Sequence, residues 1–114
     1  MRIGELSRRT GISASRIRFY ERHQVVPVAD RGQNGYRDYP ETAVKRLKLI
    51  NDAQQLGFSL KEVRAFLDDA APSFPSRAAT IEALRRKIAD IDQHLKEVRA
   101  RRGRITNLLK EIGG

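Results

Sequence analysis

Residues 3–22 read IGELSRRTGISASRIRFYER, and this stretch decides the fold of the chain. Its apolar side chains recur at helical spacing on both sides of Gly11-Ile12-Ser13. Glycine tolerates the positive φ at which many helices end, and serine is a preferred N-cap of the helix that follows. The sequence therefore predicts two short helices, over residues 3–10 and about 14–22, joined as a helix-turn-helix.

A β-hairpin is predicted to follow the second helix. Residues 25–28 contain three valines around Pro27, and after a polar stretch the chain continues as Tyr36-Arg37-Asp38-Tyr39. The dipeptide Asn34-Gly35 is a strong signal of a tight hairpin, because both residues tolerate the positive φ of a type I′ turn. We therefore expect two short strands around a polar tip, in the arrangement called a wing.

Two further helices are predicted after the wing. Pro40 suits the first turn of the first helix, where its missing N–H costs nothing, and Gly57 ends that helix. Ser59 and Glu62 form the S-x-x-E pattern of a capping box, which opens the second helix. Two prolines within residues 72–76 then interrupt the helical pattern.

These signals divide the chain into a head domain over residues 1–71, a linker over residues 72–76 and a long helix over residues 77–112. The long helix carries an apolar seam whose steps alternate between three and four residues, as in a coiled coil, so a partner helix is expected to cover it. Arg102 falls on this seam and requires either a local opening or an acidic partner, for which Asp68-Asp69 of the other protomer is one candidate. The predicted dimerisation residues are Ile81, Leu84, Ile88, Ile91, Leu95, Val98, Ile105, Leu109 and Ile112.

The charge of the chain favours a polyanionic partner. The 23 Lys and Arg against 14 Asp and Glu give a net charge of +9. Residues 1–48 carry +6, residues 49–75 carry −2 and residues 76–114 carry +5. Such a surplus indicates nucleic acid or an anionic membrane surface. No apolar run approaches the ~20 residues that span a bilayer, and the N-terminus lacks the apolar core of a signal peptide. We therefore expect a cytoplasmic protein without a membrane partner.

The sequence contains little from which a catalytic or metal site could be built. Cysteine is absent, and the two histidines, His23 and His94, are far apart along the chain. No pairing of a nucleophile with a base and no glycine-rich phosphate loop stands out. We expect neither enzymatic activity nor a bound metal or cofactor.

Several ordered motifs stand out along the chain: Ile3-Gly4-Glu5-Leu6-Ser7, Thr10-Gly11-Ile12-Ser13, Ile17-Arg18-Phe19-Tyr20-Glu21, Gly35-Tyr36-Arg37-Asp38-Tyr39 and Leu56-Gly57-Phe58-Ser59-Leu60-Lys61-Glu62-Val63. Together they closely resemble the mercury-resistance-type (MerR family) transcriptional regulators. The resemblance covers residues 1–70 almost continuously, and the long helix fits the family in type. It implies a winged helix-turn-helix that dimerises through antiparallel helices.

The resemblance also implies a mechanism. Such dimers bind a pseudo-palindrome between badly spaced promoter elements, then bend and untwist the double-stranded DNA so that RNA polymerase engages both elements, which is a form of indirect readout. Family members usually continue into an effector-binding loop or domain, where metal sensors carry cysteines. Since this sequence has no cysteine and ends at Gly114, we expect a short form without a cysteine-bearing effector loop.

The second helix carries four candidate DNA-binding residues. By resemblance, Arg18 is the preferred reader of a base edge or a phosphate, since arginine pairs bidentately with either. Arg16 lies about 200° around the helix from Arg18 and is equally compatible with a solvated face. The resemblance favours a phosphate contact for Tyr20 and an apolar groove contact for Phe19, although aromatic residues at helical spacing usually belong to a core.

The wing and the fourth helix contribute the remaining candidates. Arg37 is the best wing candidate for a phosphate or minor-groove contact, and Tyr36 lies beside it. Tyr39 either joins them or packs against the third helix, two alternatives of equal weight. Ser59 and Lys61 begin a helix, where free N–H groups and a lysine form a phosphate clamp, and Ser59 can serve as N-cap at the same time.

We therefore predict a mainly α fold: a winged helix-turn-helix domain with a small β-hairpin wing, followed by a long antiparallel coiled-coil helix. The predicted function is sequence-specific regulation of a promoter by a homodimer. Two alternatives stay open at this point. One is an architectural or excisionase-like DNA-binding factor, and the other is a coiled-coil scaffold whose basic head merely keeps it soluble.

Overall fold

The computed structural model of the protein describes residues 1–26, 30–31 and 35–114. Over these residues the chain divides into two compact units, Met1–Pro75 and Ser76–Gly114. The elements, in chain order, are α1 (Ile3–Thr10), α2 (Ala14–Arg22), β1 (Asp30–Arg31), β2 (Arg37–Asp38), α3 (Thr42–Gln55), α4 (Leu60–Ala70) and α5 (Arg77–Glu111).

The helix-turn-helix predicted from the sequence is confirmed. Gly11 ends α1 at φ 73°, and its N–H donates to the Ser7 carbonyl over 2.9 Å. The Ser13 hydroxyl then caps α2 by accepting from the Arg16 N–H over 3.2 Å. The turn is tightened by the Ser7 hydroxyl, which donates to the Ile12 carbonyl over 2.6 Å. Local caps therefore set where α1 ends and where α2 begins.

The wing is a short antiparallel pair of strands. Asp30 lies opposite Asp38 and Arg31 opposite Arg37, and Gly35 adopts φ 75° in the connection. Residues 25–26, which were expected in the first strand, are buried in the core, and the described part of this strand is Asp30–Arg31. Residues 27–28 and the predicted tip residue Asn34 lie outside the described residues.

Helices α3 and α4 begin and end close to their predicted positions. α3 begins at Thr42 rather than at Pro40; the Pro40 carbonyl accepts from the Ala43 N–H in the preceding turn. Gly57, at φ 92°, follows the end of α3. The capping box at the start of α4 is confirmed, with Ser59 and Glu62 bonded to each other's backbone N–H over 3.0 Å in both directions.

A single core joins all four helices of the Met1–Pro75 unit. Each large apolar side chain in it is removed from water, which contributes about 1.5–3 kcal/mol when burial is complete. Two tyrosines belong to this core. The buried apolar residues are Leu6, Ile12, Ile17, Tyr20, Val25, Val26, Tyr39, Ala43, Leu47, Ile50, Val63 and Leu67.

Helix α5 is 35 residues long, which corresponds to about 52 Å at 1.5 Å per residue. Ser76 caps its first turn by accepting from the Ala79 N–H over 3.1 Å. None of its residues is buried, and its apolar seam is largely exposed. Within the described part of the chain, no helix combines the length and the apolar character that a membrane crossing would require.

Candidate nucleic-acid interface

A basic concavity opens between α1, α2 and the wing, with a volume of about 740 Å³. Four arginines line it: Arg2 and Arg8 beside and on α1, Arg18 on α2, and Arg37 on β2. Among the lining residues that the structure describes, Glu5 is the one carboxylate. We call the four arginines the arginine cluster. A concave surface with this excess of positive charge attracts polyanions and offers bidentate donors to phosphate oxygens.

Arg18 is an exposed side chain of α2 and lines the concavity. Arg16 is directed elsewhere. Its Nη2 donates to Gln54 Oε1 on α3 over 2.9 Å, and its Nε donates to the Tyr20 hydroxyl over 3.2 Å. The structure therefore separates the two arginines, and Arg16 instead lines a smaller cavity of about 380 Å³ with Asn51 and Gln54.

Tyr20 is part of the core rather than of the surface. Its side chain is 0% exposed, and its hydroxyl donates to Gln54 Oε1 over 3.0 Å. Its burial and its bond to Gln54 leave no exposed surface of the side chain for the direct phosphate contact expected from the sequence. Phe19 is half-buried, with its ring centroid 4.3 Å from that of His23, so only part of it is available to a groove.

The described part of the wing presents an exposed aromatic side chain. Tyr36 is 57% exposed, and the guanidinium of Arg2 lies 4.2 Å above its ring centroid, a cation–π contact. The backbone brings Arg2 there, because the Tyr39 N–H donates to the Met1 carbonyl over 2.7 Å and aligns residues 1–2 with the end of β2.

A buried carboxylate connects the wing to α2. Glu21 is 5% exposed and accepts a short hydrogen bond from the Tyr39 hydroxyl. Its other oxygen lies 3.4 Å from Nη1 of Arg37 in an ion pair. The pKa of Arg37 is raised, first by a side-chain hydrogen bond between Arg37 and Tyr39 and then by the negative charge of Glu21. Burial, followed by the bond to Glu21, raises the pKa of Tyr39 from 10.0.

Of the two alternatives for Tyr39, the structure supports packing. The side chain is 1% exposed and belongs to the core, so it does not face a DNA backbone. Its hydroxyl instead holds Glu21, whose other carboxylate oxygen pairs with Arg37.

Ser59 and Lys61 lie at the start of α4 and do not line the basic concavity. Both are exposed. The Ser59 hydroxyl accepts from the Glu62 N–H, which is the N-cap role expected from the sequence. Any contact of these residues with DNA is therefore made at a second point of the head, apart from the arginine cluster.

Arg2 and Arg8 belong to the arginine cluster but are not among the residues predicted from the sequence. Neither residue belongs to the motifs that carry the family resemblance. The sequence indicates them only through the +6 charge of residues 1–48. Their place beside Arg18 and Arg37 depends on the packing of α1 against α2 and on the pairing of Met1 with Tyr39.

Over residues 1–26, 30–31 and 35–114, no group of three or more His, Cys, Asp or Glu side chains is arranged to hold an ion.

Comparison with known proteins assigns the family. The family model described as "MerR HTH family regulatory protein" matches residues 1–70, and the model "MerR, DNA binding" matches residues 44–112. The chain is 35% identical to the HTH-type transcriptional regulator CueR of Yersinia pestis, across 100% of this chain and 82% of that protein. It is 37% identical to the mercuric resistance operon regulatory protein of Bacillus cereus, across 79% of this chain and 74% of that protein.

Solved structures agree with this assignment. The transcription regulator PbrR691 of Ralstonia metallidurans, crystallised with lead(II), superimposes with a TM-score of 0.76 at 26% identity. The match covers 96% of this chain and 86% of PbrR691. Together, the winged helix-turn-helix, the long helix and these relatives show that the chain is a member of the MerR family, a DNA-binding transcriptional regulator and not an enzyme.

Proposed function

We propose that the chain acts as a homodimer on a pseudo-palindromic promoter site, with α2 of each head in the major groove and the wing on the neighbouring backbone. The observation that carries the proposal is the arginine cluster, which gathers residues from α1, α2 and the wing around one concave surface. Phosphate contacts of this kind supply much of the affinity of DNA-binding proteins, and side chains on the recognition helix supply the sequence preference.

Each surface residue takes a distinct role in this proposal. Arg18 reads a base edge or clamps a phosphate from α2, and Phe19 offers an apolar edge beside it. Arg37 and Tyr36 hold the backbone beneath the wing. Arg2, stacked on Tyr36 at 4.2 Å, adds a second cation at the wing. Since the bridge to Glu21 holds Arg37, its guanidinium is positioned before DNA arrives.

Three further candidates contribute outside the concavity. Lys61 and the start of α4 contact a more distant phosphate, with Ser59 keeping the helix end in place. Arg16 contributes from the other side of α2, where its guanidinium already bonds to Gln54. Such outlying contacts fix the orientation of the head on the duplex and carry no sequence information of their own.

Dimerisation uses the exposed seam of α5. Its apolar residues are 39–77% exposed from Leu84 to Ile112, and large apolar stripes of this kind mark interaction surfaces. Two identical heads related by a two-fold axis recognise two half-sites related in the same way, which accounts for a pseudo-palindromic operator.

The regulatory step in this proposal is a deformation of the promoter. The bound dimer bends and untwists the DNA between the promoter elements, so that RNA polymerase engages both. Family membership supports this step, and its physical basis is that the energy of deformation is offset by the additional contacts that bent DNA makes with both heads.

The test begins with selection of bound sequences from a random DNA pool. We expect enrichment of an inverted repeat, followed by a footprint between the two elements of a promoter and by altered mobility of circularly permuted fragments. Enrichment of a site at which polymerase gains no access would favour the architectural alternative. Equal binding to all sequences at physiological salt would contradict the proposal.

A further inference from the structure

The apolar and charged residues along the seam of α5 determine how two copies of the helix can align. It alternates between two kinds of position, written a and d in coiled-coil notation, and is flanked on either side by positions e and g. The a positions are Ile81, Ile88, Leu95, Arg102 and Leu109, and the d positions are Leu84, Ile91, Val98, Ile105 and Ile112. The charged flanking residues are Arg85, Asp92 and Arg99 at e, and Lys87 and Arg101 at g.

Antiparallel pairing restricts the alignment to a few registers. Each a position must lie opposite a d position of the partner, so the possible two-fold axes are spaced by half a heptad along the helix. We name three registers by the place of the axis: the early register at Gln93, the central register between Lys96 and Glu97, and the late register at Ala100.

In the central register the flanking charges are complementary. Asp92 lies across the interface from Arg99 of the partner at adjoining e positions, and the two-fold axis repeats this ion pair. On the g side, Arg101 lies across from His94 rather than from another arginine or lysine. Each of the ten seam positions also lies opposite another seam position. Complementary charges at e and g are what select orientation and register in coiled coils.

Both neighbouring registers bring like charges together. The early register places Asp92 against Asp92 of the partner, and Arg85 against Arg99. The late register places Arg99 against Arg99 and Arg101 against Arg101. Like charges at facing positions are destabilising.

A parallel pair of α5 helices is disfavoured by Arg102. It would place Arg102 of one helix directly against Arg102 of the other within the seam, and two unpaired guanidinium groups in a dry layer are costly. In the central register Arg102 instead lies opposite Ile91, one residue from the carboxylate of Asp92.

We propose that two copies of the chain pair through α5 in the central register, with Asp92–Arg99 ion pairs on both sides of the axis and Arg102 held beside Asp92 of the partner. This inference rests on the proposed homodimer and adds its alignment. It also replaces Asp68-Asp69 with Asp92 as the acidic neighbour of Arg102.

Thiol cross-linking tests the register directly, because the chain has no cysteine of its own. Single-cysteine variants are mixed in pairs, allowed to exchange subunits and treated with a short bifunctional thiol reagent. The central register predicts efficient mixed cross-links between Leu95→Cys and Val98→Cys. The early register would instead link Ile91→Cys to Leu95→Cys, the late register Val98→Cys to Arg102→Cys, and a parallel pair Leu95→Cys to itself.

Charge reversal provides an independent measurement. Asp92→Arg places two arginines together twice in each dimer, so we expect the dimer dissociation constant to rise about tenfold at low salt. Adding Arg99→Asp reverses both partners and should restore the dissociation constant. Asp90→Arg makes the same change of charge at a position away from the seam, and it serves as the matched control that leaves dimerisation unaffected.

The outcomes separate this inference from the proposed function. A dominant cross-link from another register, or failure of Arg99→Asp to rescue Asp92→Arg, overturns the central register and leaves the homodimer standing. A wild-type chain that sediments as a monomer at micromolar concentration overturns the dimer itself, and the register with it.

Discussion

Glu21 shows how a single buried residue organises the proposed DNA-binding surface. It lies on α2, yet one of its carboxylate oxygens pairs with Arg37 on β2. The other accepts a hydrogen bond from Tyr39, the residue that follows β2. Breaking a buried pair by removing one partner is far more costly than breaking an exposed one, because the other group stays buried without compensation. The orientation of Arg37 is therefore determined by α2 as well as by the wing.

At this scale the first prediction concerns base reading. Arg18→Ala should lose a contact worth about 1–3 kcal/mol to the selected operator and reduce the ratio of specific to random DNA binding. Arg37→Ala and Arg2→Ala should weaken both kinds of binding more evenly and flatten the salt dependence by about one phosphate each. Gel-shift titrations at several salt concentrations measure both effects.

The matched control for these variants is Arg64→Ala. Arg64 is an exposed arginine of α4 that pairs with Asp68 over 3.7 Å, away from the basic concavity. Its removal should leave both affinities unchanged. An unaltered specificity ratio in Arg18→Ala would contradict the role given to that residue.

The second prediction concerns Tyr39 and alkaline pH. Since the pKa of Tyr39 is raised from 10.0 in the folded chain, its neutral form stabilises the fold at lower pH, and that stabilisation is lost as pH rises through the folded pKa. The free energy of unfolding should therefore fall above about pH 10 in the wild type and fall less in Tyr39→Phe. Urea unfolding at a series of pH values measures the difference.

Tyr36→Phe is the control, since it removes an exposed phenol from the same wing. Tyr39→Phe should also lower the stability at neutral pH by about 1–3 kcal/mol, because it leaves Glu21 without its hydrogen-bond donor. Parallel pH profiles of the wild type and Tyr39→Phe would count against a titration of Tyr39.

At the scale of the elements, helix caps carry much of the local order. α2, α4 and α5 each begin at a serine whose hydroxyl accepts from an N–H three residues later. These bonds satisfy donors that would otherwise lack a partner within the helix. They also fix where each helix starts, which decides the direction in which its first side chains point.

The cap of α4 allows a stability role to be separated from a DNA role. Ser59→Ala should lower the free energy of unfolding by about 1 kcal/mol, whereas Ser59→Asp keeps a capping oxygen and should nearly preserve it. If α4 contacts a phosphate through this end, Ser59→Asp should nevertheless weaken DNA binding by charge repulsion. Thermal unfolding and gel shift on the same two variants provide both readouts, and undiminished affinity in Ser59→Asp would remove α4 from the interface.

For the molecule as a whole, the exposed apolar seam of α5 is the main feature that favours association. A seam of exposed leucine and isoleucine side chains along about 52 Å of helix is unfavourable in water. Association with a second copy removes that surface from water, and it also presents two heads to one DNA site. Assembly and operator recognition should therefore be lost together.

Leu95→Asp tests this coupling. A carboxylate at the middle of the seam would be buried without a partner in a dimer, so we expect monomers and at least about tenfold weaker operator binding. Sedimentation measures the assembly and gel shift the binding. Gln93→Asp, at an exposed position of the same helix, should change neither, and a dimeric Leu95→Asp variant would contradict the use of this seam.

The sequence by itself determined the elements and the family. Gly11, Ser13 and the pair Ser59 and Glu62 act on neighbouring backbone groups, so their structural roles are visible from spacing alone. The seam of α5 can also be predicted from spacing alone, because a repeat of three and four residues follows directly from helix geometry.

Only the tertiary structure decided which surface residues act together. Tyr39 reaches Glu21 across 18 positions, and Tyr20 and Arg16 reach Gln54 across 34 and 38 positions. Periodicity reports which face of an element is apolar, and it does not report which polar group from a distant element meets that face. For this reason the burial of both tyrosines and the gathering of Arg2 and Arg8 beside Arg18 arise from packing rather than from local pattern.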